Sequence, residues 1–341
     1  MDTKITKNRL SRLLAYDWVK IVALVVAFIV AWSILFNSTR AKIRPSQQFT
    51  VINYYSNDYL STDFDALLTN AQNKDKIFSF ETSEVVRPYD LNEYETSGGS
   101  VSFLETHFAR AEGDIMFAPS IPFVGDTQGL NYERTFAENF LNRFYGNVYK
   151  LDEEVEKDGP SNLFFVKFAN YLNAFYDGGY QTGVLNKDKV EQNFRQRVKK
   201  QNDKRFRKES LIKQALPLEV ERIEKYRDAL IEFNGYINAG VIEIVTMDIK
   251  DDKGNILWTG DTAINLCPDE SKTGNLKKYL SYTVQEEYLD TETGETRTRD
   301  VKKAKDMYAF ILYHEKVETG YEFESVLFLN YLIKNSLTMQ G

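Results

Sequence analysis

The chain has 341 residues, 43% of them hydrophobic, with 23 Phe and 21 Tyr. That is enough apolar and aromatic material for a folded core, and it argues against intrinsic disorder. The single cysteine, Cys267, excludes an internal disulfide and a thiolate metal cluster. Residues 1–44 carry eight basic and two acidic side chains, which leaves 35 basic and 48 acidic, a net −13, in residues 45–341; an acidic body argues against nonspecific nucleic-acid binding.

Residues 1–17 read as a cytoplasmic N-terminal segment. Trp18 to Phe36 is one apolar run, interrupted only by Lys20 and Ser33. As a helix it spans roughly 28 Å, close to the hydrocarbon thickness of a bilayer. Lys20 can snorkel to the interface, and Trp18 and Trp32 lie towards the two ends, where aromatic belts sit. The run exceeds a signal-peptide core, and Asn37-Ser38-Thr39-Arg40-Ala41 lacks a small-x-small cleavage site. The expectation is an uncleaved single-pass signal anchor. Lys4, Lys7, Arg9 and Arg12 precede it and Arg40, Lys42 and Arg44 follow; the slight bias places the N-terminus inside and residues 45–341 outside the cytoplasm.

Beyond the anchor, Phe49–Tyr55 alternates as a strand. Residues 62–73 are helical, with Phe64, Leu67, Leu68 and Ala71 on one face. A second strand is expected over Ile77–Val86. Ser102 and Glu105 form a capping-box pair for a helix that ends at Gly113, and Asp114–Ala118 is a buried strand. This strand–helix alternation favours a parallel sheet with right-handed crossovers. Helices follow over 134–145, 161–176, 187–214 (stopped near Pro217) and 218–233. Asp251-Asp252-Lys253-Gly254-Asn255 joins Val241–Lys250 to Ile256–Leu266 as a hairpin. A second hairpin pairs Tyr282–Leu289 with Glu295–Val301. A strand over Met307–Tyr313 and a helix over Phe323–Leu337 close the chain.

Several groups invite a functional reading. The basic run Arg195, Arg197, Lys199, Lys200, Lys204, Arg205, Arg207 and Lys208 reads first as a solvated helix face, and second as a contact for anionic lipid or a partner. Ser97-Gly98-Gly99-Ser100 opens a helix but is too short to mark an anion site. Asp248, Asp251 and Asp252 lack the spacing of a calcium loop and read as turn residues. His107 and His314 are structural. No nucleophile elbow, phosphate loop or zinc motif is present, so no enzyme activity and no cofactor is expected. In open α/β sheets, ligands bind outside the carboxyl ends of the strands. Those ends carry Tyr54, Tyr55 and Asn57, then Glu84, then Pro119 and Ser120, and Trp258 lies in the first hairpin. Tyr55, Asn57, Ser120 and Trp258 are the candidate ligand-binding residues.

Two stretches carry a family likeness. Gly113-Asp114-Ile115-Met116-Phe117-Ala118-Pro119, after strand–helix–strand–helix, resembles the opening lobe of bacterial extracytoplasmic solute-binding proteins of the two-strand-hinge class. Glu324-Ser325-Val326-Leu327-Phe328-Leu329-Asn330-Tyr331-Leu332 is similar to their closing helix. The resemblance covers about the first 75 and last 35 residues of the body. It implies an α/β class protein with two lobes, 45–125 with a returning segment at about 305–337, and 130–300. It also implies capture of a small polar ligand for an ABC-type permease or other membrane complex. The membrane tether, the charged helix at 187–214 and the second hairpin depart from that family. They keep open the alternative of a non-catalytic structural or assembly subunit of a cell-envelope membrane complex.

Overall fold

In the computed structural model the described residues are 18–39, 43–54, 62–86, 88–91, 100–123, 133–151, 163–251, 253–289, 295–315 and 320–338. The chain is a mixed α/β protein with one N-terminal apolar helix, α1 (Trp18–Thr39). Its stretch Trp18–Phe36 is long and apolar enough to cross a membrane, and none of it is buried against the rest of the protein. This is compatible with a single-pass anchor or a signal sequence. A charge at the centre of such a helix costs about 2.5–3.5 kcal/mol of insertion. Val26→Arg combined with Ala27→Arg is therefore expected to cost about 5–7 kcal/mol. The variant should move from the membrane pellet to the soluble fraction on alkaline extraction, and unchanged pelleting would contradict the anchor.

Strands β1 (Gln48–Phe49) and β2 (Val51–Asn53) open the body. Helix α2 (Thr62–Asn73) buries Phe64, Leu67, Leu68 and Ala71, the apolar face its 3.6-residue period predicts. Ile77–Val86 is mostly not a strand: only β3 (Glu84–Val85) pairs, with β1, and β4 (Tyr89–Asp90) follows. The rest of that stretch is drawn towards the helices. Phe78 stacks on Phe328 at 6.4 Å, and the Ser79 amide donates to Glu324 Oε2 at 3.1 Å. Helix α3 (Ser100–Ala109) starts two residues before Ser102, so Ser102 sits inside the first turn rather than capping it. Gly113 adopts φ +105, which a side chain would strain, and delivers the chain into β5 (Ile115–Pro119).

Helix α4 (Phe136–Phe144) is capped by a reciprocal Thr135–Glu138 box. Helix α5 (Phe164–Asn173) leads through the short pair β6 (Tyr176–Asp177) and β7 (Val184–Leu185) to α6 (Lys187–Gln201). The expected break at Pro217 is displaced. Helix α6 ends at Asn202, which is left-handed at φ 48, and α7 (Glu209–Asn238) runs straight through Pro217. Pro217 and Lys213, whose carbonyl its ring deprives of a partner, both face outward, so water can satisfy the gap.

The hairpin β8 (Glu243–Lys250) and β9 (Ile256–Asn265), the short α8 (Glu270–Thr273), the hairpin β10 (Tyr282–Leu289) and β11 (Thr296–Lys303), β12 (Met307–Ile311) and α9 (Glu324–Ser336) complete the chain. The main sheet has the order β4–β2–β5–β12–β9–β8. β2 is parallel to both β4 and β5, while β12 runs antiparallel between β5 and β9. One continuous apolar cluster runs from Phe49 to Ile333 and joins residues of 45–125, 130–300 and 305–337. Its centre is aromatic: Phe168 stacks on Phe323 at 4.0 Å, and Phe328 lies against Phe49 and Phe64.

Candidate functional site

The segment after α4 is threaded between two strands. The amides of Tyr149 and Leu151 donate to the carbonyls of Ile311 and Asp261, and that of Tyr313 donates to Asn147. This holds Tyr149 and Lys150 over the side of β9 that carries Trp258 and Thr262. Between them lies a cavity of about 390 Å³, walled by Leu141, Val148, Tyr149, Ile249, Trp258 and Tyr313. That volume suits a small organic ligand, and such sites are mostly apolar with a few fixed polar groups.

The polar groups here are few. Thr262 is 2% exposed, and its hydroxyl has no hydrogen-bond partner among the described residues. A buried hydroxyl without a partner is unfavourable, and this one lies on the cavity wall. Lys150 Nζ sits 4.3 Å from the centre of the Trp258 ring, a cation–π contact that fixes the indole. The Tyr149 hydroxyl accepts from Lys167 Nζ at 3.0 Å. Burial first, then the Glu322 carboxylate, push that phenol far above its ordinary value, so it stays neutral. At the rim, Tyr145 and Leu257 are 61% and 67% exposed.

Of the four residues expected to bind ligand, Tyr55 and Asn57 lie outside the described residues. Ser120 is at the carboxyl end of β5, where its amide donates to the Asp306 carbonyl, and it does not line the cavity. Trp258 does. In register, Ala118 lies beside Tyr308 and Tyr308 beside Asn265. Trp258 is seven residues upstream of Asn265 on β9, or about 23 Å along the strand. Ser120 and Trp258 therefore face opposite ends of the sheet, and one small ligand cannot touch both. Sequence reading missed Tyr149, Thr262 and Tyr313. Only their residue types signal them, because non-local pairing brings them together.

The other singled-out groups have structural work. Arg197 and Arg205 both grip Glu81, while Arg197 and Arg222 hold Glu219 and Asp203 pairs with Arg205. Three acids and three arginines thus form a neutral, largely buried network joining α6, α7 and the segment before β3. Burial tends to raise the Glu81 carboxyl, but Arg197 and Arg205 outweigh it and hold it below its ordinary value. Arg195 pairs with Glu191 and Glu209. His107 lies 2.7 Å from Glu112 and against the Phe103 ring; His314 Nε2 meets the Gly113 carbonyl at 2.7 Å. Asp251 accepts from the amides of Lys253 and Asn255 and closes the β8–β9 turn. Among the described residues no group of three or more His, Cys, Asp or Glu side chains could hold a metal ion. No family model matches this sequence, and comparison with curated proteins and with solved structures finds no similar protein.

Proposed function

We propose that this protein is a membrane-anchored, non-catalytic binding protein. Its body would lie outside the cytoplasm and hold a small ligand in the Trp258 cavity for an ABC-type permease or other membrane-embedded partner. The observation that carries this reading is an apolar cavity whose wall holds the buried Thr262 hydroxyl, which has no partner among the described residues. The cavity favours a ligand with a ring or branched aliphatic body and one polar group for Thr262, rather than a wholly polar solute. Its walls come from segments far apart in the sequence. Tyr313 belongs to the returning segment, and Leu141, Tyr149, Ile249 and Trp258 belong to 130–300.

The test is a thermal-shift screen of the full chain in detergent against ring-bearing small molecules, repeated with two variants. Thr262→Val keeps the shape and removes the orphan hydroxyl. It is expected to raise stability by about 1 kcal/mol and to weaken ligand binding about tenfold. Trp258→Ala is expected to weaken binding by about tenfold to a hundredfold. A flat response to the whole library, or ligand shifts that survive Trp258→Ala, would overturn the site.

The rim favours a second reading. Tyr145 and Leu257 are exposed there, Ile256, next to Leu257 in sequence, is 58% exposed, and among the described residues β8 is the last strand of the main sheet. An assembly subunit would seat a partner's apolar side chain there. Stoichiometric co-purification of a membrane protein, abolished by Leu257→Asp, would decide for that reading over a small ligand.

A further inference from the structure

Apart from Lys204, the basic run from the end of α6 through the turn that follows divides into two sets. Arg195, Arg197 and Arg205 are consumed by Glu191, Glu209, Glu81, Glu219 and Asp203. Lys199, Lys200, Arg207 and Lys208 are exposed, and their side chains have no ion pair among the described residues. These four flank the turn between α6 and α7.

The same turn receives the chain as it leaves the apolar helix. Arg44 donates through Nη2 to the Gln201 carbonyl at 2.6 Å and through Nη1 to Gln201 Oε1 at 3.0 Å. It thereby caps the C-terminal end of α6 with a cation, the sign the helix dipole favours there. Burial tends to raise Asp203, but Arg205 and, to a lesser degree, Arg44 outweigh it and hold it below its ordinary value. Helix α1 ends at Thr39, and Arg44 is five residues further on. Five extended residues reach at most about 18 Å. If α1 is in the bilayer, the turn cannot leave the headgroup region by more than that leash plus a side chain.

Charge then selects which face turns down. Residues 45–341 carry a net −13, so an anionic bilayer repels the body as a whole. The turn carries four exposed cations, and Leu211, three residues beyond Lys208 and 38% exposed, adds an apolar contact. We infer that Lys199, Lys200, Arg207 and Lys208 form a docking patch for anionic phospholipid headgroups, which holds the α6–α7 turn against the membrane and sets the orientation of the body. This inference rests on the anchoring reading of α1 and is independent of the Trp258 cavity.

The experiment uses the full chain in nanodiscs of phosphatidylcholine alone or with one-third phosphatidylglycerol. The readout is backbone hydrogen exchange over 199–208. Each basic residue near an anionic surface strengthens attraction about fivefold. Exchange should slow about fivefold or more in the phosphatidylglycerol discs only. The effect should vanish in high salt and in the variant with Lys199→Glu, Lys200→Glu, Arg207→Glu and Lys208→Glu. The corresponding four-fold Gln variant, milder for the fold, should lose it too. A chain that co-elutes with the discs but exchanges equally in both lipids overturns the patch alone. So does slowing seen only in membranes that hold other proteins, which assigns the turn to a protein partner. A chain that does not co-elute with discs overturns the anchor, and the patch with it.

Discussion

Replacing Arg222 by Met is expected to lower the unfolding free energy by about 3–5 kcal/mol, the cost of leaving a buried charge without its partner. Arg222 is fully buried. Its guanidinium donates to Glu219 at 2.6 and 3.0 Å and to the Tyr171 hydroxyl at 2.7 Å. Glu219 is itself fully buried, so removing Arg222 leaves the carboxylate with Arg197 alone. Whole-domain stabilities are about 5–15 kcal/mol, so this loss is a large share of the total. Urea unfolding of the detergent-solubilised chain checks it, with a lower midpoint and an unchanged slope. Adding Glu219→Gln should recover part of the loss, since the uncompensated charge is then gone. A change below about 1 kcal/mol would mean that the network is wet and not a buried unit.

The second large effect depends on pH. Asp114 is half-buried at the entry to β5; loss of hydration pushes its carboxyl up to about 8, the Thr50 amide opposes this and the nearby Glu324 adds to it. Glu324 is itself raised by burial, which outweighs hydrogen bonds from Ser79 and Tyr226. In the unfolded chain an Asp ionises near 3.9. Between that value and about 8 the unfolded state releases a proton that the folded state keeps. The stability contributed by protonated Asp114 is therefore fully present below the lower value and is lost as pH rises to the upper one. Each unit of separation is worth about 1.4 kcal/mol, so the total is several kcal/mol. Asp114→Asn keeps an acceptor for the Thr50 amide and cannot ionise. It should be more stable than the parent chain at pH 8 and lose that advantage towards pH 4. Urea midpoints at pH 5, 6.5 and 8 measure the difference, which also cancels the opposite trend of Glu81 and Asp203. Parallel pH profiles for the two chains would contradict a protonated Asp114.

Local signals in the sequence were reliable where one element decides its own structure. The apolar stripe of Phe64, Leu67, Leu68 and Ala71 and the Asp251–Asn255 turn are encoded within a few residues, and both are found. The α6–α7 boundary was misplaced because Pro217 is a loud signal and Asn202 a quiet one. An exposed Pro can stay in a long helix, whereas a left-handed Asn ends one through the backbone alone, with the Asn202 and Asp203 amides bonded back to the Lys199 and Val198 carbonyls. Ile77–Val86 has strand composition, but ion pairs and ring contacts from distant helices claim Phe78, Ser79 and Glu81. The cavity was legible only at Trp258. Tyr149 and Thr262 reach it through the pairing of 147–151 with β9 and the end of β12, a contact between segments more than a hundred residues apart.

On this reading an uncleaved apolar helix holds a folded binding body at the outer face of the cell membrane. Protease added to intact cells whose outer layers have been opened, with epitope tags at both ends, tests it directly. The account predicts loss of the C-terminal tag and survival of a short membrane-bound fragment bearing the N-terminal tag. Full protection of the C-terminal tag until the membrane is lysed would contradict it, as would a mature chain lacking the N-terminal tag before protease is added.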